Sequence, residues 1–203
     1  MKKTILPCAW LFAIVVPQAA FAVEPYVTAQ YMQSKSSCQG FVDGVAPLGL
    51  TADCDETDGG FRAAAGANLT RMLGVEVGYQ DAGEGRADAF DPRGTYVLTL
   101  TAPFKAWDVL GTVRHELGKD LRIVGRVGLA RWDYEVKASS TNFGAKNDGN
   151  TLTFGAGAEY KWFTVGYDAV LDVGQTNLLV PTQEIKQTIH RLSVGLKYTF
   201  KRL

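Results

Sequence analysis

The stretch that decides the fold is His190-Arg-Leu-Ser-Val-Gly-Leu-Lys-Tyr-Thr-Phe200. Leu192, Val194, Leu196, Tyr198 and Phe200 alternate with Arg191, Ser193, Gly195, Lys197 and Thr199. Side chains on a strand point to opposite faces in turn, so this period of two predicts a strand with one apolar and one polar face. Taken alone, it fits any half-buried strand.

The same pattern recurs upstream. A first strand is expected over Tyr26 to Ser34 and a second over Phe61 to Leu69. A third runs from Leu73, with Val75, Val77 and Tyr79 against Gly74, Glu76, Gly78 and Gln80. Thr95 to Leu117 reads either as two strands or as one long strand with an irregularity at Pro103, which cannot donate to a ladder. A fifth strand runs from Leu121 to about Lys137, where alternation blurs at Arg131-Trp132-Asp133 and suggests a bulge or a membrane rim. Thr151 to Tyr160 and Phe163 to Asp172 complete the set before the closing strand. Counting Thr95 to Leu117 once makes the links alternate long, short, long, short, long, short, long. That is the signature of an all-β, eight-stranded antiparallel up-and-down barrel with long loops on one side and tight turns on the other.

The faces indicate where such a barrel sits. Apolar faces carry bulky and aromatic residues, and the opposite faces carry glycine, threonine and charge. In a transmembrane β-barrel the apolar faces meet lipid and the polar faces fill the lumen. Gly74, Gly78, Gly155, Gly157 and Gly195 suit a cramped interior. A soluble sandwich or lipocalin-like barrel is the alternative, and it predicts bulky residues on one interior face with few charges opposite one another.

The N-terminal 22 residues read as an export signal. Lys2 and Lys3 precede an apolar run from Ile5 to Val16, and Ala20-Phe21-Ala22 offers small residues for cleavage between Ala22 and Val23. Pro7 and Pro17 interrupt a run shorter than the roughly 20 residues of a spanning helix. Cys8 precedes the apolar run, which argues against lipidation. The barrel domain is expected over residues 23–203. The whole chain has formal net charge +0, and losing the two lysines makes the mature chain mildly acidic. No basic surplus points to nucleic acid. Cys38 and Cys54 remain, an even pair in an exported chain, which reads as a disulfide. A zinc site would need nearby histidines and closer spacing.

These strands resemble the OmpA-type outer-membrane β-barrel family over nearly all of the mature chain. The most specific segments are Leu73-Gly-Val-Glu-Val-Gly-Tyr79, Gly125-Arg-Val-Gly-Leu-Ala-Arg-Trp-Asp133 and Leu192 to Phe200. The resemblance implies an inward acid at Glu76, an inward arginine at Arg126, and residence in the outer membrane of a Gram-negative bacterium. It implies outer-membrane lipid and lipopolysaccharide as surroundings, a monomer, and a closing strand read by the barrel-assembly machinery. Here Lys201-Arg202-Leu203 follow the expected terminal phenylalanine. With no peptidoglycan-binding domain after the barrel, a wall-anchoring role is not implied.

Strand parity assigns Arg62, Glu76, Asp108, Arg114, Arg126, Glu159, Asp168 and Lys197 to the lumen, with Arg191 and Ser193 on the same side. A closed network of ion pairs is the expectation, because buried charges need partners; a small ion path is the alternative. His115 and His190 carry the lipid-facing parity. Ser193, three residues from His190, points the other way, so no catalytic triad assembles and no enzyme, cofactor or metal is expected. Asp53-Cys-Asp-Glu-Thr-Asp58 and Asp43 make the first loop acidic. This reads as a solvated loop, since a complete calcium pattern is lacking. Leu178-Leu-Val-Pro181 forms an apolar loop tip suited to an interaction. The functional reading is a non-enzymatic surface protein acting through its loops, with a narrow channel as the alternative and a lipid-modifying enzyme a more distant one.

Overall fold

The computed structural model describes residues 23–35, 46, 49–55, 57–139, 144–176 and 184–200. It contains β1 (Glu24–Lys35), β2 (Thr51–Asp55), β3 (Thr57–Asn68), β4 (Leu73–Phe90), β5 (Tyr96–Glu116), β6 (Leu121–Ala138), β7 (Gly144–Tyr160), β8 (Phe163–Thr176) and β9 (Glu184–Thr199). Eight of them form a closed antiparallel ring. β3 to β9 follow one another in chain order, and β1 closes the ring between β3 and β9. The closing strand pairs Gln30 with Gly195 and Tyr31 with Val194. Closure leaves no free edge at membrane depth, where an unpaired backbone group would be costly.

The turns on one end are short. Leu69 donates to the Leu73 carbonyl and Leu117 to the Leu121 carbonyl, each at 2.9 Å. At the first of these, the Thr70 hydroxyl accepts from the backbone N–H groups of Met72 and Leu73. At the other end the strands run far past any membrane. β5 alone has 21 residues, about twice the 9–11 that a tilted membrane strand needs. It is a single strand through Pro103. That proline faces Glu84, just past a register shift between Asp81 and Glu84 of β4, where the missing N–H is tolerated.

The ends of several strands differ from the sequence reading. β2, a strand outside the ring, lies within the stretch read as polar loop and pairs with Arg86–Phe90 of β4. β4 continues to Phe90, β7 begins at Gly144 and β9 at Glu184. Above the membrane the outer face meets water and the inner face of the β4 extension is filled by small residues such as Ala82, Ala87 and Ala89, so these extensions lack the bulky outward residues that mark the membrane strands.

The blurred stretch at Arg131-Trp132-Asp133 has a different cause from a bulge. The β5–β6 ladder runs unbroken from Trp107 opposite Arg131 to Phe104 opposite Tyr134. Parity is kept but polarity inverts. Below, Arg126 faces in while Val127 and Leu129 face out; above, Trp132 faces in while Arg131 and Asp133 face out. Outside the membrane the exterior meets water and the interior can be dry. Met32, Ala82, Phe104, Ala106, Trp132, Val170, Val173 and Ile189 accordingly form a buried apolar cluster inside this end, with Tyr134 packed on it.

The outer wall in between is apolar. Leu192, Val194, Leu196, Tyr198 and Phe200 are all exposed on it, which is the arrangement for lipid contact. Aromatic residues mark both rims. Phe61, Tyr79 and Trp107 line up across β3, β4 and β5, with ring centroids 6.1 and 4.9 Å apart. Near the short turns, Trp162 stacks on Phe163 and Tyr198 meets Phe200 edge-on.

Candidate functional site

The chemistry-bearing residues gather inside the barrel, because alternate positions on all eight strands converge there. Arg62, Glu76, Asp108, Arg114, Arg126, Glu159, Asp168 and Lys197 are all buried. They form three groups. In the first, Arg62 Nη2 lies 2.7 Å from Glu76 Oε1 and 2.7 Å from Asp108 Oδ1. The Tyr26 hydroxyl donates to Glu76 Oε2 at 3.0 Å, and Gln30 Oε1 accepts from Arg62 at 3.4 Å.

The second group lies toward the short turns. Lys197 Nζ reaches Glu159 Oε1 at 2.7 Å, and Arg114 Nε stands 3.9 Å from the same oxygen. Arg114 also donates to Asn68 Oδ1. The Tyr26 ring joins the two groups, with Lys197 Nζ 4.1 Å and Arg114 Cζ 5.0 Å from its centroid; cations over an aromatic face are favoured. The third group is Arg126 with Asp168, 3.4 Å apart. Glycines make room for these side chains. A Cβ at Gly166 would stand 2.8 Å from Arg126 Nη1.

Two lumen residues outside the eight-charge set matter as much. Tyr26 is nearly fully buried and bridges two groups; its parity with Thr28 and Gln30 was the available signal. Arg191, 2 % exposed, has the lumen parity but stands apart from the three groups.

The histidines are elsewhere. His115 and His190 both lie on the outer wall. His190 Nδ1 is 2.5 Å from the Tyr167 hydroxyl and its ring stacks on that tyrosine. Ser193 is buried in the lumen and donates to the Gly166 carbonyl. The described residues thus bring no histidine to a serine.

Above the rim the outer wall is zwitterionic, with Lys105–Asp81, Arg131–Asp148 and Lys146–Asp133 pairs at 3.4–3.9 Å. Exposed pairs of this kind add little stability each. The Thr99 hydroxyl donates to Asp88, and this bond holds the Asp88 carboxyl below the ordinary range. The Thr99 carbonyl accepts from Ser139 N at 2.9 Å, and the Tyr96 hydroxyl contacts the hydroxyls of Thr99 and Ser139, so the β4–β5 extension is tied to the end of β6.

In the acidic first loop, two carboxylates bond the backbone. Asp55 accepts from Thr57 N, and Asp58 from Gly59 N and Glu84 N. Among the described residues, no group of three acidic, histidine or cysteine side chains could hold a metal ion. Cys54 lies in β2. Cys38, Asp43, Glu56, the Leu178–Pro181 tip, the cleavage-site residue Ala22 and Lys201–Leu203 lie outside the described residues.

No curated protein matches the sequence. Among solved structures the chain is similar to the outer membrane protein OprG from Pseudomonas aeruginosa. That match has 12 % identity and a TM-score of 0.56, covering 90 % of this chain and 98 % of that one. It is also similar to Ail, the attachment invasion locus protein of Yersinia pestis, in complex with the heparin analogue sucrose octasulfate. Here identity is 14 % and the TM-score 0.50, over 88 % of this chain and 99 % of that one. At these identities the likeness is one of fold. The family model described as outer membrane protein beta-barrel domain matches residues 4–200. A ring of eight strands with a lipid-fitted wall and a charge-filled lumen, matched by that model over almost its whole length, belongs to the outer membrane protein beta-barrel domain family and to the Gram-negative outer membrane.

Proposed function

We propose that this is a closed, non-enzymatic surface protein whose interactions are made by the β-structure and loops above the membrane. The observation that carries the reading is the pairing of a doubly sealed lumen with a wall that continues upward. Ion pairs fill the polar middle, and Met32, Phe104, Trp132, Val170, Val173 and Ile189 fill the end above it. The hairpin of β4 and β5 meanwhile rises past the seal, stiffened by β2 on one side and by Thr99–Ser139 on the other. A dry apolar plug opposes ion flow, and a rigid hairpin in water is a platform for binding. In this reading the barrel is a monomer surrounded by outer-membrane lipid and lipopolysaccharide, and it is assembled by the barrel machinery.

Three measurements test it. Purified protein in planar bilayers is expected to give no steady, large conductance; such a conductance would establish the channel reading instead. Replacing residues 82–102 by a short turn should leave a heat-modifiable barrel that has lost surface attachment. If every surface phenotype survives that replacement, the hairpin is not the working part. Ester or lipid A hydrolysis abolished by His190→Ala would overturn the non-enzymatic assignment.

A further inference from the structure

We propose that the sealed lumen binds one small monovalent anion at Arg191. The first observation is a charge count. Among the described residues the buried charged side chains of the lumen are Arg62, Arg114, Arg126, Arg191 and Lys197 against Glu76, Asp108, Glu159 and Asp168. Five cations face four carboxylates.

The second observation is how the carboxylates are spent. Glu76 and Asp108 both hold Arg62, Glu159 holds Lys197 and Arg114, and Asp168 holds Arg126. Arg191 is the one cation of the five that makes no ion pair within 4 Å. It sits opposite Asp168 in the β8–β9 ladder, yet that carboxylate is directed to Arg126. Its Nε and Nη1 have no partner, and Nη2 makes one contact, 3.4 Å to Thr153 Oγ1.

A guanidinium does not escape burial by losing its proton. Its charge must be compensated or it costs several kcal/mol. Water would satisfy the N–H groups but leave the charge. An anion does both. Escape upward is blocked, because Val170 and Ile189, the next inward residues, belong to the apolar plug. Further unused donors lie on the Arg62 side of the lumen. Gln30 and Gln80 flank Arg62 on the neighbouring strands; the Nε2 of each is buried without a partner, as is Gln80 Oε1. Arg191 thus presents two unpartnered N–H groups beneath an apolar ceiling, an arrangement suited to a chloride-sized ion.

The test uses the whole mature barrel, refolded in detergent with either sodium chloride or sodium gluconate at equal ionic strength. Chloride should raise the temperature of the heat-induced gel shift by several degrees, since a ligand bound only by the folded state stabilises it. Crystals grown in sodium bromide should show an anomalous peak within hydrogen-bonding reach of the Arg191 guanidinium. In Arg191→Gln both effects should vanish, and in Asp168→Asn the chloride dependence should increase because one carboxylate is removed. Equal midpoints for wild-type protein in the two salts, water without anomalous signal at Arg191, or a bromide peak that survives in Arg191→Gln would each overturn the proposal. The wild-type comparison needs no variant to fold.

Discussion

Arg62 grips Asp108 through two parallel bonds, Nε to Oδ2 at 3.2 Å and Nη2 to Oδ1 at 2.7 Å. The two residues are on β3 and β5, with β4 between them. Bidentate pairing of this kind is among the stronger protein hydrogen-bond arrangements. The same guanidinium also holds Glu76, so one cation is shared by two buried acids.

Removing that cation should therefore be far worse than removing the whole group. Arg62→Ala leaves Glu76 and Asp108 as buried carboxylates with no paired guanidinium, and should cost about 3–5 kcal/mol. The triple change Arg62→Met, Glu76→Gln, Asp108→Asn should recover most of the loss. Urea unfolding from micelles, followed by tryptophan fluorescence, measures both. Equal losses for the single and triple variants would show that the network's charge is not what matters.

The grip passes over Gly78. That residue pairs with Ala64 of β3 on one side and Asp108 of β5 on the other. A Cβ there would stand 2.6 Å from Arg62 Nη2 and 2.7 Å from Asp108 Oδ1. Gly78→Ala should thus destabilise by roughly 1–3 kcal/mol, the usual cost of overfilling a packed interior. Gly118→Ala is the control, since nothing lies within 4 Å of its Cβ position. Matching unfolding midpoints for the two variants would contradict this account of the lumen.

This relationship also shows where sequence reading stops. Parity placed Arg62 and Asp108 on one face because a strand's period is two, and it does so for any strand with lipid outside, as from Leu192 to Phe200. Which acid meets which base depends on register and stagger around the ring. Arg62 and Asp108 are 46 positions apart, and no local pattern links them. Where the solvent outside changes, the signal itself changes. Trp132 blurred the pattern because apolar residues move inside once the wall leaves lipid. Gly144–Asn150, rich in glycine and polar residues, is extended because it pairs with Arg131–Lys137 of β6. Thr51–Asp55 is a strand because β4 offers it an edge. Arg191 has the right parity, but its lack of an ion pair is a property of three-dimensional packing.

A smaller prediction concerns β8. Its ladder with β9 shifts register between Val170 and Val173, and Asp172 there has φ 45°. The Thr151 hydroxyl donates to the Leu171 carbonyl beside the shift, just past the last β7–β8 pair at Thr153 and Val170. Left-handed backbone suits glycine and is tolerated by aspartate, whereas a β-branched residue is strained. Asp172→Gly should leave stability nearly unchanged, and Asp172→Val should cost about 1–2 kcal/mol. Amide exchange in Val173–Thr176 should speed up in the valine variant alone. Indifference to valine would mean the bulge is not held in this conformation.

The depth of the barrel in the bilayer can be read from its tryptophans. Trp107 and Trp162 are exposed on the outer wall, at 56 % and 53 %, whereas Trp132 is 5 % exposed inside the apolar plug. Trp107 belongs to the aromatic row at the rim of the long extensions, and Trp162 to the turn at the opposite end. Aromatic girdles sit at the two membrane–water interfaces. Variants retaining one of these tryptophans each, reconstituted in lipids brominated at graded depths, should divide accordingly. Trp107 and Trp162 should be quenched most by bromine near the headgroups, and Trp132 should be quenched little at any depth. Trp132 quenched as strongly as Trp107 would place the plug at lipid level and would undo the inversion of polarity inferred at Arg131–Asp133.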